Sequence, residues 1–395
     1  MIIMPVSMPK DIDKYFFNRT KDINMINTQL STVKFDIPPQ LLITGYRGVG
    51  KTFLLKKILN DQNSDILSVF IDVSEIMGRQ KGNLTEEKVL KELLSAIDDE
   101  ISQNKTSYKK WVSKITSNFK KLGLKNYDFS DDVNVFDIPI PVISDNYDKL
   151  SKFVMELPQK IVDSSDEING FIIVIDEFQL LKNVEDPEAF FWLIRSFTQK
   201  QFNVGYVFTG SVSKTSDIIN MINGPEGAFG GRLIQINIEP FTFEETKRYI
   251  DEKSNNLKFT DEGFERFYAC TRGIPLYINS LSTVLPNNII CDENIIKQTL
   301  QLNIDQIAIM WIYIWGRLSQ GEKDFIIYLL EHDGASRHTL DNELGYSKSS
   351  ITRFIDTLSN QGIIEFNQDK QFVLADKMLK LWLKIKFETT GFYPL

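Results

Sequence analysis

The sequence of 395 residues contains only two cysteines, Cys270 and Cys291, and two histidines, His332 and His338. Two cysteines cannot form a disulfide framework or a multi-thiolate zinc cluster, so we expect a reducing, cytoplasmic location. The shortage of histidine excludes most His-based catalysis and His-rich metal sites. Any catalytic chemistry must therefore depend on other side chains.

A long apolar run and an excess of positive charge are also missing. No run approaches the roughly 20 apolar residues that span a bilayer, and Met1–Lys10 lacks the pattern of a signal peptide. We therefore expect no membrane span. The net charge of −8, with 42% hydrophobic and 25% charged residues, is typical of a globular protein with two or three domains. It does not indicate a basic nucleic-acid-binding chain.

An octapeptide typical of a phosphate-binding loop occupies residues 45–52, with the sequence Gly-Tyr-Arg-Gly-Val-Gly-Lys-Thr. Gly45 and Gly50 allow the backbone to curl around a polyphosphate, so that its N–H groups point at the anion beside the start of a helix. Lys51 is suited to bind the β- and γ-phosphates, and Thr52 is suited to bind Mg²⁺. Apolar residues on either side predict a buried strand before the loop and a helix after it.

A second motif carries two acidic residues at the end of an apolar run. Phe171–Ile175 are five apolar residues, mostly β-branched, and Asp176-Glu177 follow them. Such a run predicts a buried parallel strand, and its carboxyl end is where open α/β sheets bind ligands. Asp176 is predicted to hold the water shell of Mg²⁺, and Glu177 to polarise the attacking water. The two motifs in this order predict a P-loop ATPase with ATP and Mg²⁺ as its cofactors.

Apolar patterns divide the chain into three predicted domains. Residues 1–240 alternate short apolar runs with helical patterns, which predicts an α/β domain with a parallel sheet and helices on both faces. Residues 241–316 carry only helical patterns and predict a helical lid. Residues 317–395 predict three helices and a hairpin, the pattern of a winged helix-turn-helix. The predicted sheet strands are residues 41–44, 68–73, 171–175, 202–209 and 233–238, and the hairpin strands are residues 363–366 and 371–373.

An insert at about residues 101–148 does not follow this pattern. Residues 101–126 contain seven lysines and no acidic residue, and aromatic or apolar residues recur every three or four positions. This predicts a basic amphipathic helix. Its aromatic face packs on the domain, or the helix contacts an acidic partner, nucleic acid or a membrane face. Residues 128–148 are acidic and contain Pro139 and Pro141, and we assign them no regular structure.

Together these motifs resemble the archaeal-type ATPases, a branch of the AAA+/STAND P-loop proteins related to the archaeal initiator ATPases. The phosphate loop and the run Ile175-Asp176-Glu177-Phe178-Gln179 are the most specific matches. Weaker matches follow the family's order along the chain. They are Phe17-Asn18-Arg19 beside the adenine, Thr209-Gly210-Ser211 at the sensor strand, Gly231-Arg232 before residues 236–241, Gly273-Ile274-Pro275 in the lid and residues 373–383 at the close.

The resemblance implies a set of site residues. Ser211, or Thr209, is expected to sense the γ-phosphate, unless it is only a polar strand end. Arg232 is expected to be an arginine finger, acting in its own or a neighbouring subunit, unless it is only a surface charge. The predicted catalytic residues are Glu177, Lys51, Arg232 and Ser211, and the predicted metal ligands are Thr52 and Asp176. The predicted nucleotide-binding residues are Arg19, Gly45, Tyr46, Arg47, Gly48, Val49, Gly50, Lys51, Thr52, Phe53 and Pro275.

The predicted winged helix has little positive charge for DNA binding. Ten basic and eleven acidic residues lie between Arg317 and Leu395, a net charge of −1, whereas DNA affinity depends mainly on neutralising phosphates. The start of the third predicted helix supplies only two basic residues, Lys348 and Arg353. Contact with DNA and contact with protein therefore both stay open.

The sequence predicts a molecular switch that couples binding and hydrolysis of Mg-ATP to lid movement and to a protein partner or homo-oligomer. The alternatives are a nucleotide-gated DNA-binding protein and a nucleotide-binding scaffold with negligible hydrolysis.

Overall fold

The structure is a computed structural model that describes residues 8–103, 129–135, 138–141, 147–211 and 217–394. The predicted basic amphipathic helix lies outside the described residues from residue 104 onward.

A five-stranded parallel sheet forms the centre of the first half of the chain, with the strand order β2-β5-β6-β1-β7. The strands are β1 (Gln40–Thr44), β2 (Ile66–Asp72), β5 (Gly170–Asp176), β6 (Val204–Thr209) and β7 (Ile234–Asn237). Each position of β5 is buried, because helices cover both faces of the sheet. The predicted parallel sheet is confirmed.

The strand alignment brings polar residues to one edge of this sheet. Asp72, Asp176 and Thr209 are in register at the ends of three adjacent strands. The phosphate loop follows the same end of β1. The two predicted motifs therefore meet at the carboxyl edge, although more than a hundred residues separate them in the chain.

Helices pack on the two faces of the sheet and form two separate cores. In β1, Leu41 and Ile43 face one core and Leu42 faces the other, as the alternation of side chains along a strand requires. The helices are α1 (Ile12–Tyr15), α2 (Thr20–Ser31), α3 (Lys51–Asn60), α4 (Val73–Arg79), α5 (Glu86–Gln103), α6 (Tyr147–Asp163), α7 (Pro187–Thr198) and α8 (Asp217–Asn223), with 3-10 turns at Thr32–Phe35 and Phe178–Asn183.

The strands differ from the predictions at their ends and in the acidic segment. The sequence predicts that β6 starts at residue 202, but it begins at Val204, because the backbone N–H groups of Phe202 and Asn203 donate to the side-chain oxygen of Gln159. In the acidic segment, for which the sequence predicts no regular structure, β3 (Phe129–Val135) and β4 (Ile138–Pro141) pair antiparallel. Each of these strands has a free edge, and prolines are tolerated there.

The second half of the chain is mainly helical and shares one hydrophobic core, which extends from Phe241 to Ile385. The predicted lid and the segment after it thus pack together. The elements are α9 (Phe243–Lys253), β8 (Lys258–Phe259), α10 (Asp261–Thr271), α11 (Pro275–Val284), β9 (Ile290–Cys291), α12 (Glu293–Leu302), α13 (Ile304–Ile307), α14 (Ile309–Trp315), α15 (Gln320–Glu331), α16 (Arg337–Glu343), α17 (Lys348–Asn360), β10 (Ile364–Phe366), β11 (Phe372–Leu374) and α18 (Lys377–Thr390).

No helix in the described part of the chain is both long enough and apolar enough to cross a membrane.

Candidate active site

A cleft of about 310 Å³ lies between the phosphate loop, the N-terminal segment and residues 241–316. Residues 241–316 are the predicted lid, and they are called the lid below. Most of the residues predicted from the sequence to bind nucleotide or to take part in catalysis meet there. They are Arg19, Arg47, Gly48, Val49, Gly50, Lys51, Thr52, Phe53, Glu177, Ser211 and Pro275.

The phosphate loop curls tightly because two of its glycines allow close approach of other segments. A Cβ atom at Gly45 would lie 2.5 Å from the carbonyl oxygen of Ile238. Gly48 has a φ of +80°, and a Cβ there would lie 2.7 Å from Leu276 in α11 of the lid. The loop is therefore packed against the residue that follows β7 on one side and against the lid on the other.

Lys51 begins α3 and is only 6% exposed. Its ammonium group donates to the carbonyl oxygens of Gly45 (2.9 Å) and Tyr46 (3.1 Å) and to Ser211 Oγ (2.9 Å). Burial lowers the pKa of Lys51 to about 8. Among the described residues no carboxylate forms an ion pair with it, so a buried positive charge contacts only neutral oxygens. Such a group is stabilised by a bound anion, which fits a phosphate.

Thr52 and Asp176 lie together at the end of β5. Thr52 Oγ1 donates to Asp176 Oδ2 at 2.6 Å, and Asp176 is 2% exposed. Burial raises the pKa of Asp176 to about 6, although the hydrogen bond from Thr52 lowers it. A hydroxyl and a carboxylate are hard oxygen donors that suit Mg²⁺. Within the described ranges no group of three or more His, Cys, Asp or Glu residues could hold a metal. The ion would therefore need phosphate oxygens and water as further ligands.

Glu177 follows Asp176 at a left-handed backbone position, with φ 52°. Its side chain lines the cleft and accepts a hydrogen bond from Gln179 Nε2. A carboxylate at this place can orient or deprotonate a water molecule beside a bound phosphate. The sequence places Gln179 in a motif with Glu177 but does not indicate a role for it.

Arg19 lines the cleft, and its guanidinium binds the protein at several points. It donates to the carbonyl oxygens of Val49 (2.9 Å) and Glu239 (2.6 Å), and it stacks over the ring of Phe241 at 4.6 Å. Asp22 pairs with it at 3.3 Å. Burial lowers the pKa of Arg19. Arg19 thus joins the phosphate loop to the start of the lid.

The structure does not bring Arg232 to the cleft of its own chain. The residue is exposed and precedes β7 at Ile234, whereas the phosphate loop follows the opposite end of the neighbouring strand β1. Its Nη1 donates to the carbonyl oxygen of Phe229 at 3.4 Å. The arginine-finger role stays a prediction, and only a site in another subunit is compatible with this position.

Gly45 and Tyr46 line a second cavity of about 250 Å³ on the other side of the loop. Ser211 also reaches this cavity, and Gly362 and Asp376 of the C-terminal segment complete its wall. Ser211 therefore lies between the cleft and the C-terminal segment.

Several aromatic and polar residues of the cleft could not be predicted from the sequence, although Phe17, which two of them contact, belongs to the segment expected beside the adenine. Phe17 packs against Phe241 and Tyr249, with ring centroids 5.6 and 5.1 Å apart. Tyr249 donates to Asn279 Oδ1 at 2.9 Å. Phe241 precedes α9, Tyr249 lies in α9 and Asn279 lies in α11. The spacing of these three residues in the sequence indicates only core positions. An aromatic end with a few fixed polar groups suits a flat ring such as a nucleobase.

Comparisons with known proteins agree with this geometry. A family model described as an ATPase domain predominantly from Archaea matches residues 16–281, more than half of the chain. A solved Walker-type ATPase of Pyrococcus abyssi is 19% identical, with a TM-score of 0.64, over 95% of this chain and 98% of that chain. The ORC2 protein of Aeropyrum pernix, solved in ADPNP–ADP complexes, is 9% identical, with a TM-score of 0.52, over 96% and 98%. At such identities the two structures show a shared fold. No curated protein gives a significant match.

Proposed function

Because the chain belongs to the family of ATPase domains found predominantly in Archaea, we propose that it is a molecular switch driven by binding and hydrolysis of Mg-ATP. The observation that carries the proposal is the buried ammonium of Lys51, which contacts Ser211 at the bottom of a cleft walled by the lid. A triphosphate placed there contacts the sheet edge and the lid at the same time.

Four side chains at or beside the sheet edge have roles in this reaction. Lys51 and the amides of the loop bind the β- and γ-phosphates. Thr52 and Asp176 would hold Mg²⁺, which would neutralise charge on the phosphates. Glu177 orients a water molecule and accepts its proton as the water oxygen attacks the γ-phosphorus. The bond from that phosphorus to the bridging oxygen breaks, and ADP and phosphate leave.

Two close approaches support coupling between the nucleotide and the second half of the chain. The backbone N–H of Leu276, in the first turn of α11, donates to the carbonyl oxygen of Gly48 at 3.2 Å. On the γ-phosphate side, a Cβ at Gly362 would lie 3.1 Å from the carbonyl oxygen of Ser211. A nucleotide bound to the loop would therefore influence the contact of Gly48 with Leu276 and that of Ser211 with Gly362. Hydrolysis would change both contacts, because it changes the bound ligand.

Substitution of Lys51 and Glu177 tests the enzymatic part of this proposal. We expect Lys51→Ala to lose ATP binding and hydrolysis, and Glu177→Gln to bind ATP but to turn over roughly 10² to 10⁴ times more slowly. Lys56→Ala, on the same helix but with its ammonium over the ring of Phe70, is the matched control. Normal turnover in Lys51→Ala would contradict the proposal.

The same Glu177→Gln variant tests the switch. Size-exclusion chromatography with light scattering, in ATP and then in ADP, should give two different states of compactness or assembly. Identical profiles in both nucleotides would leave an ATPase without a switch.

A second candidate function is nucleotide-gated DNA binding through residues 317–395, which we interpret as a winged helix. The observation in its favour is the start of α17, where Lys348, Thr352 and Arg353 are exposed on one helix. Arg337 lies beside them and donates from Nη2 to the carbonyl oxygen of Lys348 and to Thr352 Oγ1. Exposed cations and hydroxyls on one helix suit a phosphate backbone.

Charge reversal tests this second candidate. We expect Lys348→Glu or Arg353→Glu to weaken duplex binding and to lower its salt slope by about 1 for each phosphate that the protein no longer neutralises. Lys258→Glu, an exposed lysine of the lid, is the charge-matched control. Absence of a duplex complex at low salt, with and without ATP, would exclude the candidate.

A further inference from the structure

The water-activating role proposed for Glu177 requires that its carboxylate be held in one orientation. Glu177 leaves β5 at a left-handed backbone position, before the 3-10 turn begins at Phe178. A non-glycine residue in this conformation is strained and is maintained where the surroundings determine it. The contacts of the side chain therefore decide where the carboxylate points.

Gln179 supplies such a contact. Its Nε2 donates a hydrogen bond to Glu177 Oε2, and Gln179 itself is 3% exposed. The 3-10 turn that carries it is anchored in the core by Phe178 and Leu181. The orientation of the amide follows from chemistry, because a flipped amide would turn its carbonyl oxygen toward a carboxylate. A buried, fixed donor is thus directed at Glu177.

The same amide contacts the end of the sensor strand. A Cβ at Gly210 would overlap Gln179 Oε1, so this approach requires glycine for reasons of space. The next residue, Ser211, accepts a hydrogen bond from Lys51 Nζ at 2.9 Å. The Gln179 amide therefore lies between the Glu177 carboxylate and the strand end that contacts the phosphate-binding ammonium.

We propose that Gln179 is a positioning residue for hydrolysis. Its side-chain amide holds the Glu177 carboxylate in the water-activating orientation, and the amide is itself held in place by the strand end at Gly210–Ser211. This inference rests on the proposed role of Glu177. Gln179 is not part of the cleft wall, so its removal affects the rate of hydrolysis and leaves nucleotide affinity unchanged.

The test is a double-mutant cycle. Gln179→Met keeps the buried volume and removes the donor. We expect kcat to fall about 10- to 100-fold, short of the loss of Glu177 itself, with KM for ATP and affinity for ADP within about threefold. In the Glu177→Gln background the same substitution should change the residual rate by less than about twofold, because a residue that acts through Glu177 has nothing left to position.

Two further variants keep the test decisive. Gln201→Met removes a buried glutamine that binds Tyr206 and the carbonyl oxygen of Met155, remote from the cleft, and it should leave kcat near the wild-type value. Gly210→Ala drives a methyl group into the Gln179 amide, and we expect it to reproduce the kcat defect of Gln179→Met, even where the latter folds poorly.

The outcomes separate this inference from the proposed function. If Glu177→Gln hydrolyses ATP like the wild type, the proposed function fails. If Glu177→Gln is inactive while Gln179→Met and Gly210→Ala turn over normally, only the role of Gln179 fails. Two other results would also overturn the inference. One is a double variant whose loss in kcat equals the product of the losses in Gln179→Met and Glu177→Gln, and the other is a raised KM for ATP in Gln179→Met.

Discussion

The site buries two groups of opposite charge, Lys51 and Asp176, and burial moves both toward their neutral forms. The pKa of Lys51 falls to about 8 and that of Asp176 rises to about 6, in each case mainly through desolvation. In the proposed function, a magnesium–nucleotide complex would bring phosphate to the first group and a cation to the second. Ligand binding would therefore restore the charged form of each, which would favour the complex over either component alone.

Proton release on binding follows from the raised pKa of Asp176. Near pH 6 this carboxyl is about half protonated, and it must ionise to ligate Mg²⁺. We expect Mg-ADP to bind more tightly as pH rises from 5 to about 7.5 and to release a fraction of a proton at pH 6. Calorimetry at pH 6 in buffers of different ionisation enthalpy measures that release.

The same measurement on Asp176→Asn gives the protons released by the nucleotide itself, which are subtracted from the wild-type value. The Glu177→Gln variant keeps Asp176 and should therefore release the same number of protons as the wild type. Equal release from the wild type and Asp176→Asn would contradict the assignment.

Among the helices, α18 is joined to the lid by one buried carboxylate. Asp376 caps α18 by accepting from the backbone N–H groups of Met378 (2.8 Å) and Leu379 (3.0 Å). It also accepts from the hydroxyl of Tyr277 in α11 (2.7 Å) and from Nε1 of Trp311 in α14 (3.0 Å). Burial raises the pKa of Asp376. Three helices depend on this one side chain for their mutual position.

Removal of this carboxylate should destabilise the fold more than the loss of an ordinary helix cap. Asp376→Ala leaves the buried hydroxyl of Tyr277 without its acceptor, at about 1–3 kcal/mol, and removes a cap worth about 1 kcal/mol. Trp311 Nε1 keeps the hydroxyl oxygen of Tyr277 as an acceptor at 2.7 Å. We expect a loss of roughly 2–4 kcal/mol in the free energy of unfolding, measured with denaturant.

Asp186→Ala, which removes only the cap of α7, should cost about 1 kcal/mol. Asp376→Asn retains an acceptor for the cap and should fall between the two. A loss no greater than that of Asp186→Ala would show that the contacts with Tyr277 and Trp311 contribute nothing.

On the scale of the whole molecule, local motifs were predictable and long-range contacts were not. The phosphate loop, the acidic pair and the five strands follow from short patterns, and the family assignment is confirmed. The hydrogen bonds of Arg19 to Glu239 and of Tyr249 to Asn279 join segments far apart in the chain. Periodicity identifies an apolar face but not its packing partner, so one core for the lid and the C-terminal segment could not be foreseen.

That continuous core, from Phe241 to Ile385, ties one wall of the cleft to the last helices of the chain. Leu276 approaches the loop at Gly48, and Gly362 approaches Ser211 on the other side. Leu276 and Gly362 both belong to the half of the chain that is built around this core, and close-packed interiors transmit strain. A substitution that loosens the core far from the cleft should therefore alter the surroundings of the loop as well.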